Sequence, residues 1–416
     1  MINVFYDAYR ILFKVYSEGA FLKQAISDVA IDYKNRNHIT KIVYGVLDKD
    51  VSLEYYLSYL CDKRPKQAVR IILKIALYSI RCLNNAPYSV VDASVELVKK
   101  LGKGANAGFV NAVLRKFSVV EIPLPKEETE RLSVIYSYPV FAVKRLVSDY
   151  GLERAKGIMS ADTERTTVRF NGDADGENYL LKRGYSFEKT PFENCFFVDG
   201  FKRNEDYDAG VYTFQSVGSV AVCDLVGTGK RLLDACAAPG GKSVNLSDKF
   251  SEVVSCDVYE HRVKLIEEYA ARMKKTNVTA VLSDSTKKNA DFCEKFDVVL
   301  CDAPCSGYGV IKDNPDVKLN RTDKDIEELN KTQLDILLAC CDAVSFGGYL
   351  CYSTCSVFKA ENDGIIEKFL KNRPDFEIED CISPLPFEKE KYGVGFFPDI
   401  SFGAGFYFCK MKRKNI

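Results

Sequence analysis

The 416 residues balance 58 Lys+Arg against 58 Asp+Glu, and 47% of them are hydrophobic. A chain of that length and apolar content suits two or three cored domains of about 150 residues each and excludes a disordered polymer. It holds no run near the roughly 18 apolar residues of a membrane span, and the start MINVFYDAYR lacks a charged and apolar leader, so a soluble cytoplasmic protein is expected.

Fifteen cysteines without an export signal read as reduced thiols, most of them buried as small hydrophobes. Cys301/Cys305 and Cys351/Cys355 have no histidine beside them, so no metal site is expected. The two histidines, His38 and His261, lie in polar helical stretches and suit a solvated role better than a Ser-His-Asp triad. Charge is uneven along the chain: residues 1–120 hold 18 Lys+Arg against 10 Asp+Glu, a net +8, which leaves −8 for the rest. Such asymmetry points to an anionic partner for the first segment.

Residues 1–118 repeat apolar positions at three and four in AYRILFKVYSEGAFLKQAI, NHITKIVYGVLDKDVSLEYYLSYL, QAVRIILKIALYSIRCL, SVVDASVELVKKL and NAGFVNAVLRKF. This period predicts an all-α bundle, punctuated at Pro65, Pro87 and Gly102/Gly104. YRILFKVYSEGAF, IVYGVL, ILKIALYSI, APYSVVDASVELVKK and GFVNAVLRKF resemble the RNA-binding domain of the antitermination factor NusB. That resemblance implies RNA binding, not catalysis.

EIPLPKEETERL, from Glu121, reads as a linker. Residues 122–206 then read as a small α/β connecting module, with helices in YSYPVFAVKRLVSDYGLERAKGIMSA and strands in TTVRFNG and CFFVDGF. Over residues 207–416 short β-rich runs, RLLDAC, EVVSCDV, TAVLSD, FDVVLCDA and GYLCYSTC, alternate with helical segments such as HRVKLIEEYAARMKK. Alternation of this kind predicts a parallel, doubly wound, Rossmann-like sheet whose ligand lies beyond the carboxyl ends of the strands.

Polar residues close those runs: Asp257, Asp284, Asp302 and Cys355. Four strand ends and the turn AAPGGKS converging on one sheet edge are hard to attribute to packing, because ionised carboxylates need partners. In the turn, Pro239 fixes one backbone angle while Gly240 and Gly241 free the next two, and the spacing around Lys242 is not that of a phosphate loop. Asp257 stands where a ribose-binding carboxylate sits in nucleoside folds. Asp284 is placed to accept from an adenine amino group. Three acids around one nucleoside favour a cationic ligand such as the sulfonium of S-adenosylmethionine.

LLDACAAPGGKS, CDVYEHRV, LSDST, DAPCSGYGVIKDNPDVK and YSTCSVFKAEND, in that order, closely resemble the RNA 5-methylcytosine methyltransferases. With the NusB-like segment ahead of them they resemble the Sun/RsmB branch, which acts on 16S ribosomal RNA. The resemblance implies that Cys236, Ala237, Ala238, Pro239, Gly240, Gly241, Lys242, Asp257, Asp284 and Asp302 contact S-adenosyl-L-methionine. It also implies that Cys355 attacks cytosine C6 and that Cys305 assists release of the product. Asp302 is expected near the cytosine N3 and O2/N4 edge, in an apolar, partly negative setting, where it would hydrogen-bond or protonate N3 as the thiolate adds. Tyr308 and Phe358 could wedge against a flipped base, although packing is their commoner role.

The expected partner is 16S ribosomal RNA or its precursor, with neither DNA nor membrane, and the expected state is a monomer. Transfer RNA as substrate and a non-catalytic RNA-binding factor are the alternatives. The intact cysteines, Asp302 and APGGK count against the second. The chain departs from the family pattern at Ser216, Asn314, Leu319 and Asp399 and has no tryptophan; these departures bear on RNA contacts rather than on the chemistry.

Overall fold

The computed structural model describes every residue except 32, 163, 164, 173 and 416. It divides into two compact units, Met1–Ser160 with Asn314–Arg321, and Ala161–Asp313 with Thr322–Ile416.

The first unit is helical: α1 (Ile2–Glu18), α2 (Leu22–Asp28), α3 (Arg36–Asp48), α4 (Asp50–Leu60), α5 (Gln67–Arg81), α6 (Pro87–Lys100), α7 (Ala107–Phe117), α8 (Glu128–Tyr136), α9 (Val140–Tyr150) and α10 (Leu152–Ser160). Each presents an apolar stripe at helical spacing. In α1 the buried side are Val4, Phe5, Ala8, Ile11, Leu12 and Val15, which meet Ile71, Ile72 and Ile75 of α5 in one core. Within the periodic stretch 8–26, Gly19 ends α1 in the left-handed region at φ 71° and separates it from α2.

Within this core α5 carries a buried cation. The Lys74 ammonium lies 2.5 Å from Asp50 Oδ1 and 2.5 Å from Glu54 Oε1, with Tyr16 donating to Asp50 and Arg70 to Glu54. Removing one partner from such a cluster leaves a buried charge unpaired. The segment Asn314–Arg321, far along the chain, also belongs to this unit and contains α16 (Val317–Asn320).

The second unit holds α11 (Gly176–Lys182), α12 (Glu205–Asp208), α13 (Val217–Val226), α14 (Gly241–Leu246), α15 (Glu260–Arg272), α17 (Asp323–Cys340) and α18 (Asp363–Asn372). Its smaller sheet, in the order β2-β3-β1-β4, is antiparallel and is formed by β1 (Thr167–Phe170), β2 (Phe187–Lys189), β3 (Cys195–Val198) and β4 (Tyr212–Phe214).

The larger sheet contains β5 (Gly229–Asp234), β6 (Phe250–Asp257), β7 (Val278–Leu282), β8 (Phe296–Asp302), β9 (Val344–Thr354), β10 (Phe376–Glu379), β11 (Glu388–Lys389), β12 (Val394–Phe396) and β13 (Phe406–Arg413). The order β9-β8-β5-β6-β7 is parallel, as the alternating runs predict. The expectation of a wholly parallel sheet needs correction, because β13, β12 and β11 continue it antiparallel beyond β9 and β10 pairs with β13. Leu232, Leu233, Val253, Val298, Val299, Leu300 and Leu350 are buried along the central strands, as expected of strands covered on both faces.

Chain order reverses direction across the sheet at β5, with β6 on one side and β8 on the other. That is the switch point where ligands of doubly wound sheets bind.

Candidate active site

Strand register brings the polar strand ends to one edge. Asp234 of β5 lies beside Leu300 of β8, and Asp302 of β8 beside Ser353 of β9. Asp257 closes β6 opposite Leu282 of β7. Asp284 lies two residues past β7, in the following loop.

The glycine turn starts after Asp234, whose carboxylate is fully buried. Ser243 Oγ donates to Asp234 Oδ2 at 2.6 Å and Ser255 Oγ donates to Ser243 Oγ at 2.8 Å, so the first turn of α14 is tied to the ends of β5 and β6. Gly240 has φ 106°, where side chains are strained, and a Cβ there would stand 3.3 Å from Ile266 Cα. At Gly241 the nearest atom to a Cβ would be Tyr269 Cε1 at 3.8 Å, so the backbone is open on that side.

Gln215, which the sequence reading passed over, secures this turn. Its Nε2 donates to Gly241 O at 3.4 Å, and its Oε1 accepts from Arg169 Nε at 2.8 Å and Asn245 Nδ2 at 3.0 Å. Its neighbour Ser216 had drawn attention only as a departure from the family pattern.

Asp257 is buried, with Tyr259 N–H on Oδ1 at 3.2 Å and the Arg262 guanidinium 3.2 Å from Oδ2. Arg262 also donates to Ala238 O at 3.3 Å, spanning the glycine turn and the end of β6. Asp284 is engaged by its own loop, accepting from Thr286 N–H at 3.1 Å, Thr286 Oγ1 at 2.6 Å and Lys287 at 2.8 Å. The Lys287 hydrogen bond, then those from Thr286, bring its carboxyl down to about 2.

Lys242, expected with the cofactor turn, reaches across to the end of β8, where its Nζ donates to Asp302 Oδ2 at 2.7 Å. Ser353 Oγ donates to the other oxygen, Oδ1, at 2.6 Å. The apolar, partly negative setting expected for Asp302 is therefore corrected: its partner is a cation. Burial alone would lower the Lys242 ammonium, but the Asp302 carboxylate, followed by smaller contributions from Cys223 and then Cys355, outweighs it, and Lys242 titrates above its ordinary range.

Cys355 follows the end of β9, and Cys305 follows Pro304 in the loop after β8. Their Sγ atoms are 3.2 Å apart. The hydrogen bond to Cys355, then burial, then the charges of Cys355 and Glu361 push the Cys305 thiol well above the usual range. Either sulfur can donate in the contact between them. Gly309 allows this approach: its N–H donates to Cys355 O at 2.9 Å, and a Cβ on it would lie 2.1 Å from Gly405 O. Tyr308 and Phe358 are buried, with ring centroids 4.8 Å apart, and pack on each other rather than wedging a base.

Between the serines that follow the two cysteines lies Glu361, fully buried. It accepts from Ser306 N–H at 2.8 Å, Ser306 Oγ at 2.5 Å, Ser356 Oγ at 2.5 Å and Gln333 Nε2 at 3.1 Å. Asn362 accepts from Thr354 Oγ1 at 2.6 Å and donates to Ser356 O at 3.0 Å. Sequence reading gave these residues no role. The signal available was three polar residues in a row, Glu361 to Asp363, between apolar runs.

The residues fit a nucleoside cofactor with a cationic centre: an open glycine backbone, a buried carboxylate at the next strand end, and no phosphate loop.

Comparison with known proteins agrees with this geometry. The family model described as 16S rRNA methyltransferase RsmB/F matches residues 226–412, and the NusB family model matches residues 7–119. A Bacillus subtilis (strain 168) protein named "Probable ribosomal RNA small subunit methyltransferase B" is 32% identical over 95% of this chain and 94% of its own. The Pasteurella multocida (strain Pm70) ribosomal RNA small subunit methyltransferase B is 30% identical over 98% of this chain and 95% of its own. The crystal structure of PH0851 has the same fold, with a TM-score of 0.83, 21% identity, and coverage of 99% of this chain and 98% of that one. The chain belongs to the RsmB/F family of S-adenosylmethionine-dependent ribosomal RNA methyltransferases, with a NusB-family domain ahead of its methyltransferase domain.

Proposed function

We propose that this protein methylates C5 of a cytosine in 16S ribosomal RNA through a covalent bond between Cys355 Sγ and the base C6. The observation that carries this reading is the pair of thiols 3.2 Å apart beside the Lys242–Asp302 ion pair. Cytosine C5 is a weak nucleophile until a thiolate adds at C6 and passes its electron pair toward C5.

Cys355 forms the C6–S bond. Lys242, an ammonium paired with Asp302 at the same sheet edge, supplies positive charge near where the thiolate must form. Asp302, with one oxygen on Lys242 and the other on Ser353, faces the N3 and N4 edge of the base. S-adenosylmethionine, when bound, supplies the electrophilic methyl group that C5 takes. The C5 proton then passes to solvent, its bonding pair forms the C5–C6 double bond, and the C6–S bond breaks. Cys305 gives its proton to the departing Cys355 sulfur and is itself reprotonated from solvent, which balances the proton that Cys355 lost to solvent when its thiolate formed.

In this reading Cys236 to Lys242, Asp257, Asp284 and Asp302 line the cofactor site. Residues 1–118 bind the RNA, 122–206 connect, and 207–416 carry the chemistry in a monomer. The names of the relatives support the small-subunit RNA as substrate. The division of labour is tested on denaturing gels with 16S RNA and cofactor. Cys305→Ala should accumulate a protein–RNA adduct and Cys355→Ala should form none. An adduct in Cys355→Ala would exchange the two roles, and no adduct in either would remove the covalent step.

A further inference from the structure

We propose that Glu361 is a positioning residue that joins the two cysteine loops into one unit, and that the sequential use of Cys355 and Cys305 depends on it. This rests on the covalent reading above. Ser306 and Ser356 each directly follow a cysteine, and both hydroxyls converge on Glu361 Oε2 at 2.5 Å. The other oxygen takes the Ser306 N–H and Gln333 Nε2, and the same Gln333 nitrogen donates to Pro304 O at 3.0 Å. Its own carbonyl accepts from Tyr352 OH of β9 at 2.6 Å.

Among the described residues, every hydrogen bond to this carboxylate comes from a residue beside one of the two cysteine motifs or from the glutamine that braces one of them. Fixing a residue in a core needs only apolar packing, whereas a fully buried carboxylate costs desolvation and persists only with its acceptor sites engaged. Here four donors engage them, three from the two cysteine loops and one from Gln333 on α17. The charge has a second effect: it is among the causes that hold the Cys305 proton in place. Glu361 touches neither thiol by hydrogen bond and acts through the serines.

The test is read first on the protein alone, in wild type, Glu361→Gln and the Ser306→Ala/Ser356→Ala double variant. Diamide oxidation, followed by mass spectrometry of the cross-linked peptides, reports the rate at which Cys305 and Cys355 pair. Iodoacetamide alkylation across pH reports the midpoint of Cys305. For Glu361→Gln the pairing rate should fall about tenfold and the Cys305 midpoint should move to lower pH. With RNA and cofactor, kcat should fall about 100-fold, as for a misplaced reacting group, while both KM values stay within about threefold.

If circular dichroism shows Glu361→Gln unfolded, the serine double variant carries the test, because it leaves the charge in place and removes two donors; its pairing rate should fall with little change in the Cys305 midpoint. Wild-type pairing and midpoint in a folded Glu361→Gln would overturn the proposal. Altered thiols in Glu361→Gln with no RNA adduct in wild type or Cys305→Ala would support the positioning role and overturn the covalent reading instead.

Discussion

At the scale of single residues the site turns on one cation. Lys242 sits in the glycine turn, where its neighbours invite a cofactor role, yet its ammonium lies on Asp302 at the end of β8. No spacing rule in the sequence relates residues 242 and 302; only the register of β5 with β8 brings them to one edge. Lys242→Met should therefore lower single-turnover methyl transfer by about 100-fold, the size typical of losing one preorganised charge at a reacting centre. Lys242→Arg should recover part of that rate, and an unchanged rate in Lys242→Met would remove the cation from the mechanism. Asp234 gives a pH test. Burial, outweighing the Ser243 hydrogen bond, raises its carboxyl from 3.8 to about 6. A carboxyl raised on folding gives stability that is fully present below its unfolded value and lost as pH rises through the folded one. Asp234→Asn escapes that loss, so urea unfolding should show the variant gaining about 2 kcal/mol on wild type between pH 4 and pH 7. A constant difference across that range would show that Asp234 is already ionised at low pH in the folded protein.

At the scale of elements, the strands that end in Asp257 and Asp302 and the one that Cys355 follows were legible because β-rich runs, turn glycines and polar ends coincide there. The strands β10 to β13 were not. Three of them have only two to four residues, and β13, FYFCKMKR, is an antiparallel strand buried along most of its length, which no alternation marks. One of the residue departures, Leu319, has a structural role that its position in the sequence did not reveal. Leu319 was read as bearing on RNA contacts, but its side chain packs on the helical core that contains Val4 and Leu12. Around it, Leu22 N–H donates to Asp316 Oδ2 at 3.2 Å, and the fully buried Lys318 ammonium donates to Asp48 O at 2.7 Å and Asp48 Oδ1 at 3.0 Å. The stretch between the two cysteine motifs thus contains a segment that completes the helical unit. Lys318→Met should destabilise that unit by about 2 kcal/mol, the worth of charge-assisted hydrogen bonds to a buried group. Hydrogen exchange should show the loss in α3 and leave β5 and β6 unchanged; equal protection in α3 would mean that the contact contributes nothing.

At the scale of the whole molecule the sequence shows two chemistries in one chain: a basic helical segment and a strand-edge site with two thiols. The helical part was legible from period alone, since an amphipathic bundle is specified locally. The strand-edge site was legible in its parts but not in its bracing, because Gln215, Gln333 and Glu361 each also reach a partner far along the chain, 26, 28 and 55 residues away. No helix of the described residues is long and apolar enough to cross a membrane. The excess of eight positive charges in residues 1–120 should make RNA affinity fall steeply with salt through counterion release. Titrations between 50 and 200 mM KCl should give a strongly negative slope of log K against log salt, and a flat slope would remove the helical charge from RNA binding. The central claim, cytosine C5 methylation through Cys355, is met most directly by nucleoside mass spectrometry of unmodified 16S ribosomal RNA after incubation with methyl-labelled S-adenosylmethionine and either wild type or Cys355→Ala. The account predicts labelled 5-methylcytosine with wild type and none with the variant. Label on another nucleoside or at another position of cytosine, or labelled 5-methylcytosine that persists in Cys355→Ala, would contradict it.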